Sequence, residues 1–473
     1  MKKTKIICTL GPNADDYNLF LKLAEYMDVA RFNFSHGDYE EHKKRLDNLV
    51  KIRKETGRPI PALLDTKGPE IRTGKLEGGN KVLLTEGDEI TLTTKEVIGN
   101  KNKIYINYDN IIHDIKEGNG ILIDDGLIEL QVIKVSGSDI LCKIISGGEL
   151  GEKKGVNIPN VKINLPDLTD KDIADIEFGI EAGFDIVAAS FVRNSNCIKQ
   201  IRDIINKHNS KMFIIAKIEN HEGLSNIDEI IDASDGIMVA RGDLGVEIDA
   251  TLLPKIQKDI IKKCNAKGKV VITATQMLDS MIRNVRPTRA EVNDVANAIY
   301  DGTDVVMLSG ETANGKYPLE AVKLMTQICT ATEEDISYAD RRGKLFQTQI
   351  NLTITNTISK EAVYCAESLN ARAIVTPTIT GNTARVIAKF KPVVPIYALS
   401  PDESVVRQMM IYFGVTPFFM ERDEDNDKLL KNSLDLLTSK KVLSKDDLVV
   451  LAFRSHNDIN DMHTNAIRVE KIK

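Results

Sequence analysis

Eight short runs rich in apolar and β-branched residues recur through the first 340 residues, each ending in polar or charged side chains. They span 5–9, 29–35, 61–66, 185–190, 212–217, 236–241, 269–275 and 304–309. Most are followed by a stretch of helical periodicity, for example 39–55, 195–208, 252–266, 289–300 and 319–334. A strand followed by a helical crossover brings the chain back parallel to itself, and eight such units predict an α/β fold with a closed (β/α)8 TIM barrel.

One gap breaks the rhythm. Between Thr66 and Leu165 there is no long amphipathic helix but a series of short β runs separated by turns such as Glu86-Gly87-Asp88 and Asp125-Gly126. This predicts a small β-barrel domain, 68–164, inserted after the third strand, leaving 1–67 and 165–340 for the barrel. Insertions on a barrel's C-terminal face overhang the active site, so a mobile lid is the expected role. From 341 to 473 the alternation resumes as a separate open α/β domain, with a helix over 358–369 and strands over 373–376, 394–398, 448–451 and 466–469. In this domain the loop Thr376-Pro-Thr378-Ile-Thr380-Gly381-Asn382-Thr383 precedes a helical stretch, 384–390. Hydroxyls and a glycine before a helix suit a phosphate; threonines there serve equally as caps.

Bulk composition removes several classes. The net charge of −6 and the 28 per cent of charged residues are mixed along the chain, with no basic block to serve as a nucleic-acid footprint. The six cysteines, Cys8, Cys142, Cys197, Cys264, Cys329 and Cys365, lie far apart without zinc spacing and read as reduced thiols. Basic residues at the N-terminus precede an apolar run too short for a signal peptide, and no membrane-length segment follows. A soluble, cytoplasmic protein is expected.

The polar strand ends carry the chemistry. In a barrel they converge on one mouth, and here they supply Arg31, Asn33 and Ser35; Asp65 and Thr66; Lys217 and Glu219; Arg241 and Asp243; Thr275; Ser309 and Glu311. Lys217 and Glu219 are two apart on an extended run, as are Arg31, Asn33 and Ser35, so each set shares a face. Cations, carboxylates and neutral oxygens in one cleft match the requirements of phosphoryl transfer. Any one such end is more often a cap or loop anchor, but six acting together are hard to assign to capping. Glu219 and Asp243 offer oxygen, with neither histidine nor cysteine accompanying them at ligand spacing, which favours Mg2+ or Mn2+ over zinc. His36 and His221 receive no catalytic role, because a lone histidine is usually a packed or hydrogen-bonded residue.

Thr4-Lys-Ile-Ile-Cys-Thr-Leu-Gly-Pro12, Ala30-Arg-Phe-Asn-Phe-Ser-His-Gly37, Leu64-Asp-Thr-Lys-Gly-Pro-Glu-Ile-Arg72, Ile215-Ala-Lys-Ile-Glu-Asn220, Met238-Val-Ala-Arg-Gly-Asp-Leu-Gly245 and Thr275-Gln-Met-Leu278 closely resemble the pyruvate kinase family. So do Arg286-Pro-Thr-Arg-Ala-Glu291 and Met307-Leu-Ser-Gly-Glu-Thr312 in the barrel, and Asp124-Asp-Gly-Leu-Ile128 and Lys153-Lys-Gly-Val-Asn157 in the insertion. The resemblance is to bacterial members without an additional C-terminal phosphohistidine-type domain. It implies transfer of phosphate from phosphoenolpyruvate to ADP, giving pyruvate and ATP in glycolysis. By position it implies Glu219 and Asp243 as ligands of the divalent metal and Lys217 as the group that stabilises the phosphoryl in transit. Arg31, Gly242, Asp243 and Thr275 match substrate-binding positions, and Thr275, with Ser309 and water, helps deliver a proton to enolpyruvate.

Arg72 and Lys154, joined by Asn33 and His36, are expected nucleotide contacts. Asn33, Ser35, Asp65 and Thr66 match a K+ site, and a glutamate at Glu70 accompanies K+ dependence in the family. A homotetramer is expected, with a phosphorylated effector at Thr376, Thr378, Thr380, Gly381, Asn382 and Thr383. The family's glycine-rich segment before a Thr-Asn pair is replaced by a run from Phe453 to His463 without glycine, ahead of Thr464 and Asn465. Two rivals are a Mg2+-dependent barrel lyase or aldolase acting on oxo-acid enolates, which needs no ADP, and a non-catalytic metabolite-sensing paralogue, which would be free to lose Lys217, Glu219, Asp243 and Thr275.

Overall fold

A computed structural model describes residues 2–338, 353–455 and 463–473. Eight parallel strands form a closed barrel in sequential order: β1 (Lys5–Leu10), β2 (Val29–Asn33), β3 (Ala62–Asp65), β4 (Ile186–Ala189), β5 (Phe213–Ile218), β6 (Gly236–Ala240), β7 (Val270–Ala274) and β8 (Val305–Leu308). The register runs through the pairs Ile7↔Val29, Leu63↔Ile186, Ile215↔Gly236 and Lys5↔Val305.

The strands read as continuous hydrophobic runs because both faces are buried. Ile6, Cys8, Ala30, Leu64 and Val187 pack against the surrounding helices in one core. Their alternates Ile7, Val29, Leu63, Ile186, Ile215 and Met238 form a second core, continuous with that of the last domain. This second set fills the barrel interior, and counting on by twos from it gives the residues that reach the mouth.

The helices end where local chemistry dictates. The helix Tyr39–Thr56 is capped by the Asp38 carboxylate and stopped by Gly57 in the left-handed conformation, φ 66°. Asp170–Ala182 and Arg289–Asp301 both start with reciprocal capping boxes, Thr169 with Asp172 and Thr288 with Glu291.

Between β3 and β4 lies a curled six-stranded sheet, with Ile128–Ser136 and Asp139–Ser146 at its centre, and a separate two-stranded sheet, Val82–Leu84 with Gly148–Leu150. This insertion buries its own core, including Ile90, Leu92, Ile121 and Leu130. The last domain holds a five-stranded sheet in the order β11 (Val415–Phe419), β10 (Ile396–Ser400), β9 (Ala373–Pro377), β12 (Leu448–Phe453) and β13 (Ala466–Lys471). Only β13 runs antiparallel.

The last domain is fastened under the barrel by polar contacts. Asp185, just before β4, is gripped from the barrel side by Arg53 (3.0 Å) and from the last domain by Arg407 (2.7 Å). Buried Lys391 pairs with Asp304, just before β8. The expected junction near residue 340 and much of the glycine-free run lie outside the described residues.

Candidate active site

Five strands deliver one buried polar network to the mouth. Continuing from Ile7, Val29, Leu63, Ile186 and Ile215, every second residue is Thr9, Arg31, Asp65, Ser190 and Lys217, followed by Glu219. Arg31 donates from Nε to Asp65 Oδ2 (2.6 Å) and from Nη1 to Thr9 Oγ1 (2.8 Å). Lys217 Nζ donates to Asp65 Oδ1 (3.0 Å) and Ser190 Oγ (2.6 Å), and lies 2.9 Å from Glu219 Oε1. The Phe191 N–H donates to Glu219 Oε2 at 2.7 Å. Phe191 is held at φ 54°, a strained conformation for an aromatic residue, so its amide direction is enforced by the surroundings.

The electrostatics follow from burial and neighbours. Burial opposes the Lys217 charge, but Asp65 and Glu219 outweigh it and hold the ammonium above its ordinary pKa. Asp65 is likewise buried, yet Arg31 and Lys217 keep it ionised. Glu219 is pushed up to about 7 by burial, with Asp243 adding to the shift and Lys217 opposing it. Burial also raises Asp243, against the pull of Lys217. Of the pair Lys217 and Glu219, the lysine stays charged because it serves two carboxylates, while Glu219 has only a share of one ammonium. Glu219, buried, and Asp243, half-buried, are thus two carboxylates short of positive charge, a donor set that fits a divalent cation. Among the described residues no three acidic, histidine or cysteine side chains form a metal cage. Mg2+ sites commonly draw only one or two carboxylates from the protein and the rest from substrate and water.

The Thr275 hydroxyl donates to the Ala274 carbonyl (2.6 Å) and accepts from the Gly242 N–H (2.8 Å), tying the end of β7 to the helix Arg241–Glu247. Thr275 and Gln276 sit at φ 68° and 53°, so a β-branched residue is forced into the left-handed region beside the mouth. Ser309 donates its N–H to Glu311 Oε2 (2.7 Å) and precedes the short helix Gly310–Ala313 without a side-chain capping bond.

Two residues expected at the mouth are braces instead. Arg241 opens a helix rather than ending a strand, so strand alternation no longer sets its direction. Its guanidinium donates to the Thr275 carbonyl (2.7 Å) and to Asp294 (2.7 Å). Glu311 is also helical and accepts from the N–H groups of Leu278 (3.1 Å) and Ser309.

A cleft of about 710 Å3 runs from the mouth under the inserted domain, lined by Arg72, Lys154, Phe191, Arg193, Asn220 and Asp243 among others. Arg72 is forked onto Glu70 (2.7 and 3.0 Å) and donates to the Lys153 carbonyl (2.8 Å); Lys154 Nζ lies 2.8 Å from Asp124. Asn33 accepts from the Ser35 N–H (3.1 Å), and Thr66 Oγ1 accepts from the Ser190 N–H (3.1 Å). His36 is exposed, and its carbonyl rather than its ring is engaged, by His42 Nε2 at 3.0 Å. Neither Asn33 nor His36 lines the large cleft. Ser190, Phe191 and Arg193 were not singled out from the sequence. Ser190 was detectable as the next lumen-facing position after Ile186 and Ala188, but the Phe191 strain leaves no sequence signal.

In the last domain the helix Asn382–Lys389 starts after Gly381 at φ 77°, without a side-chain cap. Thr378 Oγ1 accepts from the Gly381 N–H (3.1 Å), and Thr383 and Thr464 share a hydrogen bond (2.7 Å). Thr378, Thr380, Asn382 and Thr383 line a smaller cavity of about 100 Å3, with Arg422 and Arg454 on its other walls. Thr376 does not line it, and its buried hydroxyl has no hydrogen-bond partner.

A closed parallel barrel whose mouth holds a charged lysine between carboxylates, beneath a cleft lined by both cations and carboxylates, has the layout of a (β/α)8 enzyme that handles an anionic group together with a cation. The description "Pyruvate kinase, barrel domain" matches residues 1–322, and "Pyruvate kinase, alpha/beta domain" matches residues 356–470. The chain is 49% identical to the pyruvate kinase of Geobacillus stearothermophilus over 457 residues, 95% of this chain and 77% of that protein. It is 47% identical to that of Bacillus licheniformis over 458 residues, with the same coverage. The crystal structure of a pyruvate kinase from Cryptosporidium parvum superposes with a TM-score of 0.94 at 38% identity, covering 100% of this chain and 96% of that one. The chain belongs to the pyruvate kinase family. It is a phosphotransferase with pyruvate kinase activity, and the family is metal-dependent. No helix among the described residues is long and apolar enough to cross a membrane.

Proposed function

We propose that the barrel mouth transfers the phosphoryl group of phosphoenolpyruvate to ADP, giving pyruvate and ATP, with Lys217 stabilising the group in transit. The observation that carries this is the Lys217 ammonium, buried, charged and fixed by Asp65, Ser190 and Glu219. Such a cation is oriented before substrate arrives, so it meets the charge on the phosphoryl oxygens without reorganising. Arg31, fixed by Asp65 and Thr9, is a second cation in the same network and binds the substrate phosphate.

Glu219 and Asp243 would hold Mg2+ or Mn2+, which when bound neutralises phosphoryl oxygens. Asn33, Ser35, Asp65 and Thr66 would hold K+; all four supply oxygen, and each hydrogen-bonded acceptor keeps a further lone pair. First-turn amides of the helix from Arg241 suit the substrate carboxylate, with Gly242 the residue that Thr275 ties to them. Thr275, with Ser309 and water, relays the proton that converts enolpyruvate to pyruvate. Arg72 and Lys154 bind the nucleotide phosphates, assisted by Asn33 and His36, and the inserted domain, 68–164, closes over them as a lid.

The last domain, 341–473, takes a phosphorylated effector at Thr378, Thr380, Gly381, Asn382 and Thr383, with Thr376 behind the loop. Arg422 and Arg454 on the opposite walls support an anion there. A cytoplasmic homotetramer is the working assembly. A coupled assay for pyruvate tests the central reading: product should require phosphoenolpyruvate, ADP and a divalent cation, and be accelerated by K+. Pyruvate released from an oxo acid without ADP would instead identify a barrel lyase.

A further inference from the structure

At the opposite end of the barrel, where β1 begins beside the last domain, lies a cleft of about 210 Å3 that plays no part in the activity above. Four cationic residues line it, Lys2, Lys3, Lys5 and Arg372, and no acidic residue does. Lys2 is neutralised by Asp28 at 2.5 Å. The other three have no carboxylate partner within 4 Å among the described residues. Lys5 is only 6% exposed, and among the described residues its ammonium makes one hydrogen bond, to the Val415 carbonyl at 2.7 Å. Burial lowers its pKa to about 8, with Lys2 and Arg58 adding to the depression and Asp28 and Glu333 opposing it. Lys3 lies over the Tyr338 ring at 4.9 Å, and Arg372 is exposed at the rim.

A buried ammonium with one neutral acceptor, and two further cations without a carboxylate partner nearby, lack a direct counter-ion, and the cleft leaves room to supply one. Three separate donors around one space favour a dianion with several oxygens over a single carboxylate. The remaining wall, Val393, Pro395 and Tyr397, is largely apolar and suits a small organic group. We propose that this cleft binds a phosphate monoester with a compact organic part, its phosphoryl group held by Lys3, Lys5 and Arg372. The site is composite: Lys3 and Lys5 belong to the barrel chain, whereas Arg372 and Tyr397 belong to the last domain. The Gly414 N–H already donates to the Lys3 carbonyl across this junction at 3.0 Å. A bound monoester therefore strengthens the docking of the two domains.

Isothermal titration of the full chain with glycerol 3-phosphate at fixed ionic strength tests the proposal, using the Lys3→Gln and Arg372→Gln variants. Each substitution should weaken one binding event at least tenfold while leaving turnover at saturating substrate unchanged. The same event should persist in a Thr378→Ala, Thr383→Ala double variant, which separates this cleft from the loop cavity. In the unmodified protein glycerol 3-phosphate should also protect Lys3 from amine acetylation, a readout that needs no variant to fold. Unchanged binding in both single variants, absent Lys3 protection, or citrate binding there more tightly than the monoester would overturn it.

Discussion

At the scale of single residues, the unexpected partner is Glu70. It forks onto Arg72, the side chain proposed to meet the nucleotide phosphates, and lies 3.9 Å from Lys67. Glu70 thus orients a cation, four residues after Thr66 of the proposed K+ site. Glu70→Lys should place an ammonium where the ion's charge is needed and release Arg72 at the same time. The variant should lose most of its dependence on K+ and show weakened ADP binding, read as activity against K+ in a bulky organic cation and as KM for ADP. An unmodified enzyme equally fast without K+ would contradict the assignment.

Lys5 makes a pH-dependent prediction of the same kind. Its folded pKa, about 8, lies below the unfolded value of 10.5, so the folded state holds this proton less tightly. The penalty is fully present below about pH 8 and is relieved as pH rises towards 10.5, a difference of about 3 kcal/mol at 1.4 kcal/mol per unit. Measured by denaturant unfolding, the unmodified chain should gain on a Lys5→Met variant between pH 8 and 10.5. A constant difference would contradict a charged, buried Lys5.

At the scale of elements, the barrel was legible because every strand is a short, nearly continuous apolar run that stops at polar residues. Convergence of the strand ends brought Arg31, Asp65 and Lys217 to one mouth, and the structure joins them through hydrogen bonds. It failed for Arg241 and Glu311, which follow the strand ends but already belong to helices, where alternation carries no directional information. The edge strand β11 escaped because Pro417 interrupts an otherwise β-rich run, a substitution that an edge can accommodate. The helices Tyr17–Ala24 and Asp170–Ala182 fill further gaps between strands, and the second carries a sequence signal in its Thr169 to Asp172 capping box. The polar fastenings between barrel and last domain had no local signature, since Lys391 and Asp304 are 87 residues apart. Lys391→Met should leave Asp304 buried without its charge partner, costing about 3 kcal/mol or more and loosening this junction. Thermal unfolding should show the loss, and a Tm within a degree of the parent would count against a structural ion pair.

At the scale of the whole molecule, two fronts meet across the barrel. The mouth opens under the inserted domain, and the opposite end of the strands rests on the last domain through Asp185, Asp304 and Lys5. Strand β4 joins them directly: Asp185, gripped by Arg407, stands at one end, and Ser190 and Phe191, which hold Lys217 and Glu219, stand at the other. A shift of the last domain therefore has a short covalent path to the network at the mouth. The claim on which the rest depends is that this network, centred on Lys217, stabilises the phosphoryl group rather than the enolate. Lys217→Met separates the two steps. Rapid-quench transfer from labelled phosphoenolpyruvate to ADP should fall by at least a few hundredfold, consistent with losing a donor worth about 3 to 4 kcal/mol. Exchange of the pyruvate methyl protons, which needs Thr275 but no phosphoryl group in flight, should persist in the same preparation. Near-normal transfer in the variant, or loss of proton exchange with transfer retained, would contradict the account.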